Sequence, residues 1–363
     1  MPLISADAFG AMSRTLLTAA GASAEDAAVI ADSVRWATLR GNESHGVDHL
    51  PMYVRMYAHP EAPPRVNRAG TYEITRQGDA VVTIDGHGCA GQRVLRDAAA
   101  LVARRAAVGG VALATTIRTT HHGALGYALE PILERDMIGL IFAGSGAATP
   151  AFGGTDRKLG TNPIAIGVPA GDREPIIIDM ATSASTWLGL LDIWRTDADI
   201  PEGLILDGDG NPTTDRSGFV FGFRSQDGEP KGALSTIGNS HKGYALQLAV
   251  EMLGGILPAL ISGNEVGTDG YVSALVIAIR VGAVQDATAF KERVDRRLEE
   301  LKRSVRKAGV EEIWIPGERG FATSARRSAD GIPIGEAEWG RLERVASEVG
   351  VDLAPFTQAA EPA

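Results

Sequence analysis

The chain has 363 residues and a net charge of −10, long enough for two or three domains at about 150 residues each. Hydrophobic residues make up 44% and charged residues 22%, a globular balance that excludes a disordered or fibrous chain. The acidic excess argues against a nucleic-acid partner and a polybasic membrane contact, because phosphates are held by surplus Lys and Arg. Cys89 is the one cysteine, so neither an intrachain disulfide nor a cysteine zinc site is expected. The start, MPLISADAFGAMSRTLL, lacks a basic stretch followed by an apolar leader, and apolar runs such as Tyr271 to Ile279 are too short to cross a bilayer. A cytoplasmic protein is expected.

SADAFGAMSRTLLTAAG and SAEDAAVIADSVRWATLRG read as helices, the second opening on a Ser23 capping box and closing on Gly41. After the histidine-bearing NESHGVDHLPMYVRMY come a hairpin (TYEITRQG, DAVVTIDGHG), a helix from Gln92 to Ala107 and the short buried strand VALATTI. A helix (ALGYALEPILERD) leads to the strand MIGLIFAG. Two further strands, IAIGVPAG and PIIIDMATS, precede a helix through TWLGLLDIW. Residues 197–240 are rich in turns. A long helix, HKGYALQLAVEMLGGIL, then leads to the strand SALVIAIRV. A charged helix is expected from Ala289 to Ala308, a strand-loop around IWIPGERG, a last helix from Gly335 to Val349 and a frayed end from Gln358. Strands and helices alternate, which makes the fold class α/β. The 44 glycines, well above the roughly 7% usual, crowd between Gly86 and Gly255 and suit a cofactor-binding region.

Gly86-His87-Gly88-Cys89-Ala90-Gly91 is a literal G-x-G-x-x-G between a strand and a helix. The dinucleotide fingerprint also needs a ribose-binding acid about 20 residues on. VALATTI runs into Arg118 instead, so the segment is read as a glycine turn, with an NADP-binding Rossmann domain as the alternative. Asp207-Gly208-Asp209-Gly210-Asn211 imitates a calcium loop but lacks the glycine and glutamate that such a loop requires. No metal is expected.

Of seven histidines, His45 and His121 stand out. Each lies beside a glycine at the edge of a regular element, in Ser44-His45-Gly46 and His121-His122-Gly123, where a rigid scaffold can expose an imidazole. Such a ring can give or take the proton that accompanies hydride transfer to a carbonyl.

SHGVDHLPMY, HHGALGY, GTNPIAIGVP, IDMATS, IPEGLILDGDGNPTTD, HKGYALQLAVEMLGGIL, IPGER and GIPI occur in this order. With them the chain resembles, from about Ser5 to Val351, the malate/L-lactate dehydrogenase family of the second, non-Rossmann type. The resemblance implies a homodimer and an α/β fold: an N-terminal helical part (1–75), a central mixed-sheet region for cofactor and substrate (76–288), and a C-terminal part (289–363) returning to the N-terminal helices. It implies NAD or NADP, held by Ser145, Asp179, Met180, Ala181, Lys242, Gly317, Glu318 and Arg319. Asp179 ends an apolar strand, where a carboxylate can grip a ribose or cap a helix, and Lys242 opens a helix, where a phosphate can bind. The acid/base is His121 or His45. His121 is preferred because it leaves a buried strand at the sheet end where ligands gather. Ser44, His49, Tyr53 and Arg118 are the substrate-binding candidates.

Three positions depart from the resemblance. His49 stands where the family usually has an arginine that clamps a carboxylate, Arg118 opens the segment before His121, and Leu188-Gly189 replaces a glycine-lysine pair. Arg118 is one candidate to take over the carboxylate; a substrate other than a simple 2-oxo acid is the other account. The expected activity is interconversion of a small 2-oxo acid and its 2-hydroxy acid. Reduction of a cyclic imine and an inactive metabolite-binding homologue are the alternatives.

Overall fold

The computed structural model describes residues 3–62, 64–195, 198–219, 232–259 and 270–357, and the expected frayed end from Gln358 lies outside them. Ser5 and Ser23 accept the backbone N–H of Ala8 and Asp26. These caps start the helices Ala6–Ala19 and Ala24–Leu39, each satisfying a donor that the helix leaves open.

The central sheet has seven strands in the order Glu73–Gln77, Val81–Asp85, Val111–Thr119, Val272–Arg280, Met137–Gly144, Ile164–Val168 and Ile176–Met180. Only the Val81–Asp85 and Val111–Thr119 join is parallel, bridged by the helix Gly91–Gly109, so the sheet is mixed and the fold α/β. VALATTI and SALVIAIRV are near-continuous apolar runs because their strands lie side by side inside the sheet.

The G-x-G-x-x-G turn does stand inside this βαβ unit, yet its glycines close on protein. A side chain on Gly91 would strike the Thr120 carbonyl, and one on Gly88, whose φ is +83°, the Arg65 carbonyl. The turn brings the segment before His121 down on the start of a helix; it is not an open phosphate cradle.

Two main cores form. One joins the N-terminal helices to Ile332, Ile334, Leu342, Val345 and Leu353 from the far end of the chain. The other lies between the sheet and the helices Gly91–Gly109 and Leu125–Leu133. The helix Ala287–Lys302 leans on the sheet side, with Asp295 accepting the N–H of Gly171 and Asp172. Contact with the N-terminal helices begins in the helix Glu318–Asp330, through Phe321 under Arg40 and Arg327 on Thr38 and Glu43, and continues from Ile332 onward.

Three local expectations change. The charged helix ends at Lys302 rather than Ala308, because the Lys302 ammonium folds the chain back onto Glu312 and Glu318, at 2.9 and 2.6 Å. IPGER opens a helix, Glu318–Asp330, in place of a strand-loop. The helix from His241 widens into a π turn at Glu251–Ile256, where Gly254 lets it settle on the Phe142 backbone.

Candidate active site

Three imidazoles meet at the seam between the two cores. His45 comes from a short 3-10 turn, Glu43–His45, and His49 caps the start of the helix Leu50–Ala58. His121 follows the central strand Val111–Thr119. The rings stack: His49 lies 4.5 Å from His121 with an interplanar angle of 11°, and His45 lies 5.5 and 5.8 Å from the two. Tyr53, one helical turn beyond His49, closes the group at 5.2 Å from His49.

Hydrogen bonds settle where each neutral ring keeps its proton. The Gly123 N–H donates to His121 Nδ1 at 3.1 Å, so that nitrogen is an acceptor and the Tyr53 hydroxyl, 2.7 Å away, must donate to it. The His121 proton therefore sits on Nε2. His49 Nδ1 faces the Ser44 carbonyl, which only accepts, so its proton is on Nδ1 and Nε2 is a lone pair. Ser44 donates its hydroxyl to Asn42 and accepts from His45 Nδ1, which leaves His45 Nε2 a lone pair as well. None of the three Nε2 atoms has a hydrogen-bond partner among the described residues.

Burial keeps the rings neutral. It pulls His45 down to about 3 and His49 to about 4, and drives His121 well below its ordinary value, with the neighbouring imidazoles adding to the effect. His122 points elsewhere, donating to Thr119, whose hydroxyl is itself committed to the Val272 carbonyl. Gln92, buried beneath the cluster, lies against the Tyr53 hydroxyl, and neither of its amide atoms completes a hydrogen bond.

The remaining predicted residues gather around the edge strand Ile176–Met180. The Ile177 N–H donates to the Pro316 carbonyl, and Gly317, at φ +93°, packs on Ile177 where a side chain would not fit. Past the strand end, Thr182 bonds to Thr161, Asn162 and Ile237, which leads through the Ser240 cap to Lys242. Ser145 joins the same network through Asn162 and Thr161. Asn162, in the left-handed region at φ +39°, donates to the buried Glu251 carboxylate at 2.5 Å. Lys242 and Arg319 are exposed and pair with no described residue. Two free cations and outward-facing Met180 fit a phosphate-bearing cofactor laid along this edge.

Residues 4–343 match the malate/L-lactate dehydrogenase family. The chain belongs to that family, and is therefore an oxidoreductase. It is 34% identical over 344 residues to a malate dehydrogenase of Pyrococcus horikoshii, covering 93% of this chain and 92% of that one. A Δ1-pyrroline-2-carboxylate/Δ1-piperideine-2-carboxylate reductase of Pseudomonas putida is 30% identical over 325 residues, or 88% and 89% of the two chains. The solved sulfolactate dehydrogenase of Methanocaldococcus jannaschii shares the fold with a TM-score of 0.84 at 30% identity, covering 98% and 100%.

Within this family fold, Ser44, His45, His49, Tyr53 and His121 come together. Arg118 does not join them. At φ +49° it turns its guanidinium onto Asp85, with contacts of 2.5 to 3.1 Å, and onto His87, away from the place expected of a replacement for the missing arginine. Asp179 acts as a helix cap: its carboxylate accepts the Gly126 N–H at 2.8 Å, and burial raises it to about 6. Glu318 is likewise committed, to Lys302 and the Ile315 N–H. Gln92, Asn162 and Glu251 were not singled out from sequence. Asn162 lay inside the quoted GTNP block and Gln92 directly behind the discounted glycine turn, but neither type has a spacing signature.

Proposed function

We propose that this protein is an NAD(P)-dependent oxidoreductase that interconverts a small 2-oxo acid and its 2-hydroxy acid. The observation that carries the reading is the buried imidazole stack, with His121 Nδ1 saturated and its Nε2–H left for a ligand. Members of the family typically use nicotinamide cofactors, and Lys242, Arg319, Gly317, Met180, Ala181 and Ser145 would hold one here. When bound, that cofactor supplies or accepts the hydride.

The chain's own task is to place the oxygen and move a proton. His121 Nε2–H donates to the substrate oxygen and polarises it. In the reductive direction the ring first takes up a proton from solvent at Nδ1, giving up the Gly123 N–H contact, and works as an imidazolium. Its Nδ1–H is then received by the Tyr53 oxygen, and the Tyr53 hydroxyl turns to the unpartnered Gln92 carbonyl. The Nε2 proton passes to the oxygen that has gained charge, and the ring ends neutral; oxidation runs the same steps backward. His45, stacked beside it with an unpartnered Nε2 lone pair, is the second proton-handling ring. Likeness to the Pseudomonas putida reductase favours a cyclic imine carrying a carboxylate as the second reading, since an imine carbon takes hydride as a carbonyl carbon does. A cytoplasmic homodimer belongs to the same proposal, supported by Leu246, Met252, Ile256 and Leu257 exposed along one helix.

The test is nicotinamide absorbance with NADH or NADPH against pyruvate, oxaloacetate, sulfopyruvate, 2,3-diketogulonate and Δ1-piperideine-2-carboxylate, with ureidoglycolate run oxidatively. Turnover of a 2-oxo acid is the expected result. Thermal stabilisation by cofactor with no turnover across the panel would instead make the chain a metabolite-binding homologue.

A further inference from the structure

Every substrate of the proposed class carries a carboxylate, which offers acceptors alone. The neutral stack meets such a group badly. It presents one donor, His121 Nε2–H, which the oxo group claims, while His45 and His49 present lone pairs.

The cations nearest the stack are already engaged or turned elsewhere: Arg40 lies over the Trp36 and Phe321 rings, and Arg319 is exposed at the start of its helix. Arg118 is held by Asp85, Arg327 by Glu43, and Arg341 by Asp48 and Glu338. Among the described residues these pairs meet the carboxylates flanking the histidines, Glu43, Asp48 and Glu338, with Asp192 beyond Asp48. The other groups facing the rings are the Tyr53 hydroxyl, His122 and the uncharged Gln92 amide.

We propose, on the strength of the functional reading above, that His49 binds the substrate carboxylate and takes up one proton as it does so, making substrate affinity proton-linked. His49 is better placed than His45 because its Nδ1–H already rests on a backbone carbonyl, an acceptor that serves the charged ring as well as the neutral one. The His45 Nδ1–H rests on a hydroxyl that is also donating to Asn42. In the free protein burial opposes the charge, and a carboxylate in contact with the ring supplies the missing counter-charge.

The experiment measures KM and kcat from pH 6.5 to 8.5 for whichever 2-oxo acid or cyclic imine the enzyme reduces. KM should rise about tenfold per pH unit; kcat falls with pH on its own account wherever His121 must be protonated in the complex, so KM is the quantity that reads His49. His49→Arg supplies a permanent charge. It should flatten the KM profile, since the charge no longer depends on pH. If His49→Arg fails to fold, His49→Gln should also flatten the profile, at a KM at least about tenfold above the wild-type value at pH 6.5. As a readout apart from turnover, titration of the cofactor-loaded enzyme with oxamate in buffers of different ionisation heat should report uptake of about one proton in the wild type and none in His49→Arg. A flat wild-type KM, or proton uptake that persists without His49, overturns the inference while turnover leaves the functional reading standing. Absence of turnover on the whole panel overturns both.

Discussion

Replacing Tyr53 by phenylalanine removes one oxygen and keeps the ring that packs on His49 and His121. The oxygen donates to His121 Nδ1 at 2.7 Å and, in the working cycle, receives the proton of that nitrogen. A buried hydrogen bond of this kind is worth about 1 to 1.5 kcal/mol net, and 1.4 kcal/mol corresponds to tenfold in rate. The Gly123 N–H remains on His121 Nδ1, so the resting tautomer survives and the ring still offers Nε2–H to the oxygen. What is lost is the acceptor for Nδ1–H in the protonated ring. The expected result is therefore a fall of about tenfold in kcat, with KM within about twofold of wild type. Steady-state kinetics of Tyr53→Phe against the best substrate of the panel decides it. A KM raised about tenfold with kcat intact would mean that the hydroxyl touches the substrate directly, and unchanged constants would mean that the tyrosine only packs.

Arg118→Ala should leave KM and kcat within about twofold, because the guanidinium is spent on Asp85; since it strips the buried Asp85 carboxylate of its cation, the loss in urea unfolding should exceed the roughly 1 kcal/mol of an exposed pair. Asp179→Asn tests the helix cap through pH. The folded-state value of Asp179, about 6, lies above the unfolded value of about 3.9. The native state thus holds the extra proton, and the wild type loses stability as pH rises from 4 to 6, by at most about 3 kcal/mol. The amide still accepts the Gly126 N–H and does not titrate, so urea unfolding at pH 4 and pH 6 should show that much less pH slope in the variant; equal slopes would refute the assignment. Gly91→Ala should cost about 1 to 3 kcal/mol by overpacking and also lower kcat, since the new methyl strikes the Thr120 carbonyl one residue before His121. Stability loss with kcat unchanged would separate the glycine from the site.

The fold was legible where local chemistry and tertiary packing agree. Ser5 and Ser23 are helix starts by their side chains and are helix starts in the structure. The two apolar runs that lie inside the sheet needed no partner to be recognised as strands. Prediction failed where a distant residue decides the outcome. FKERVDRRLEELKRSVRKA has helical spacing past Lys302, but the chain turns there because that ammonium finds two carboxylates further along. IPGERG reads as an extended loop until Gly317, held against a neighbouring strand in a left-handed conformation, starts a helix instead.

The candidate site divides along the same line. His45 and His121 were visible because a histidine beside a glycine at the end of an element stands clear of that element, and the fold leaves both rings half-buried against other layers. What they do depends on protons that no sequence pattern records: the tautomer of His121 is fixed by Gly123 and Tyr53, and Tyr53 comes from a different layer of the molecule. Asp179 extends the point. Read alone it is an acid at a strand end, yet in the fold it holds Gly126, on the helix that begins just after the His121 loop. The strand proposed to carry the cofactor and the loop that carries the proton donor are thus tied by one carboxylate. Disturbing that carboxylate must shift both at once, so a change there that alters cofactor KM without altering kcat would break the proposed connection between them.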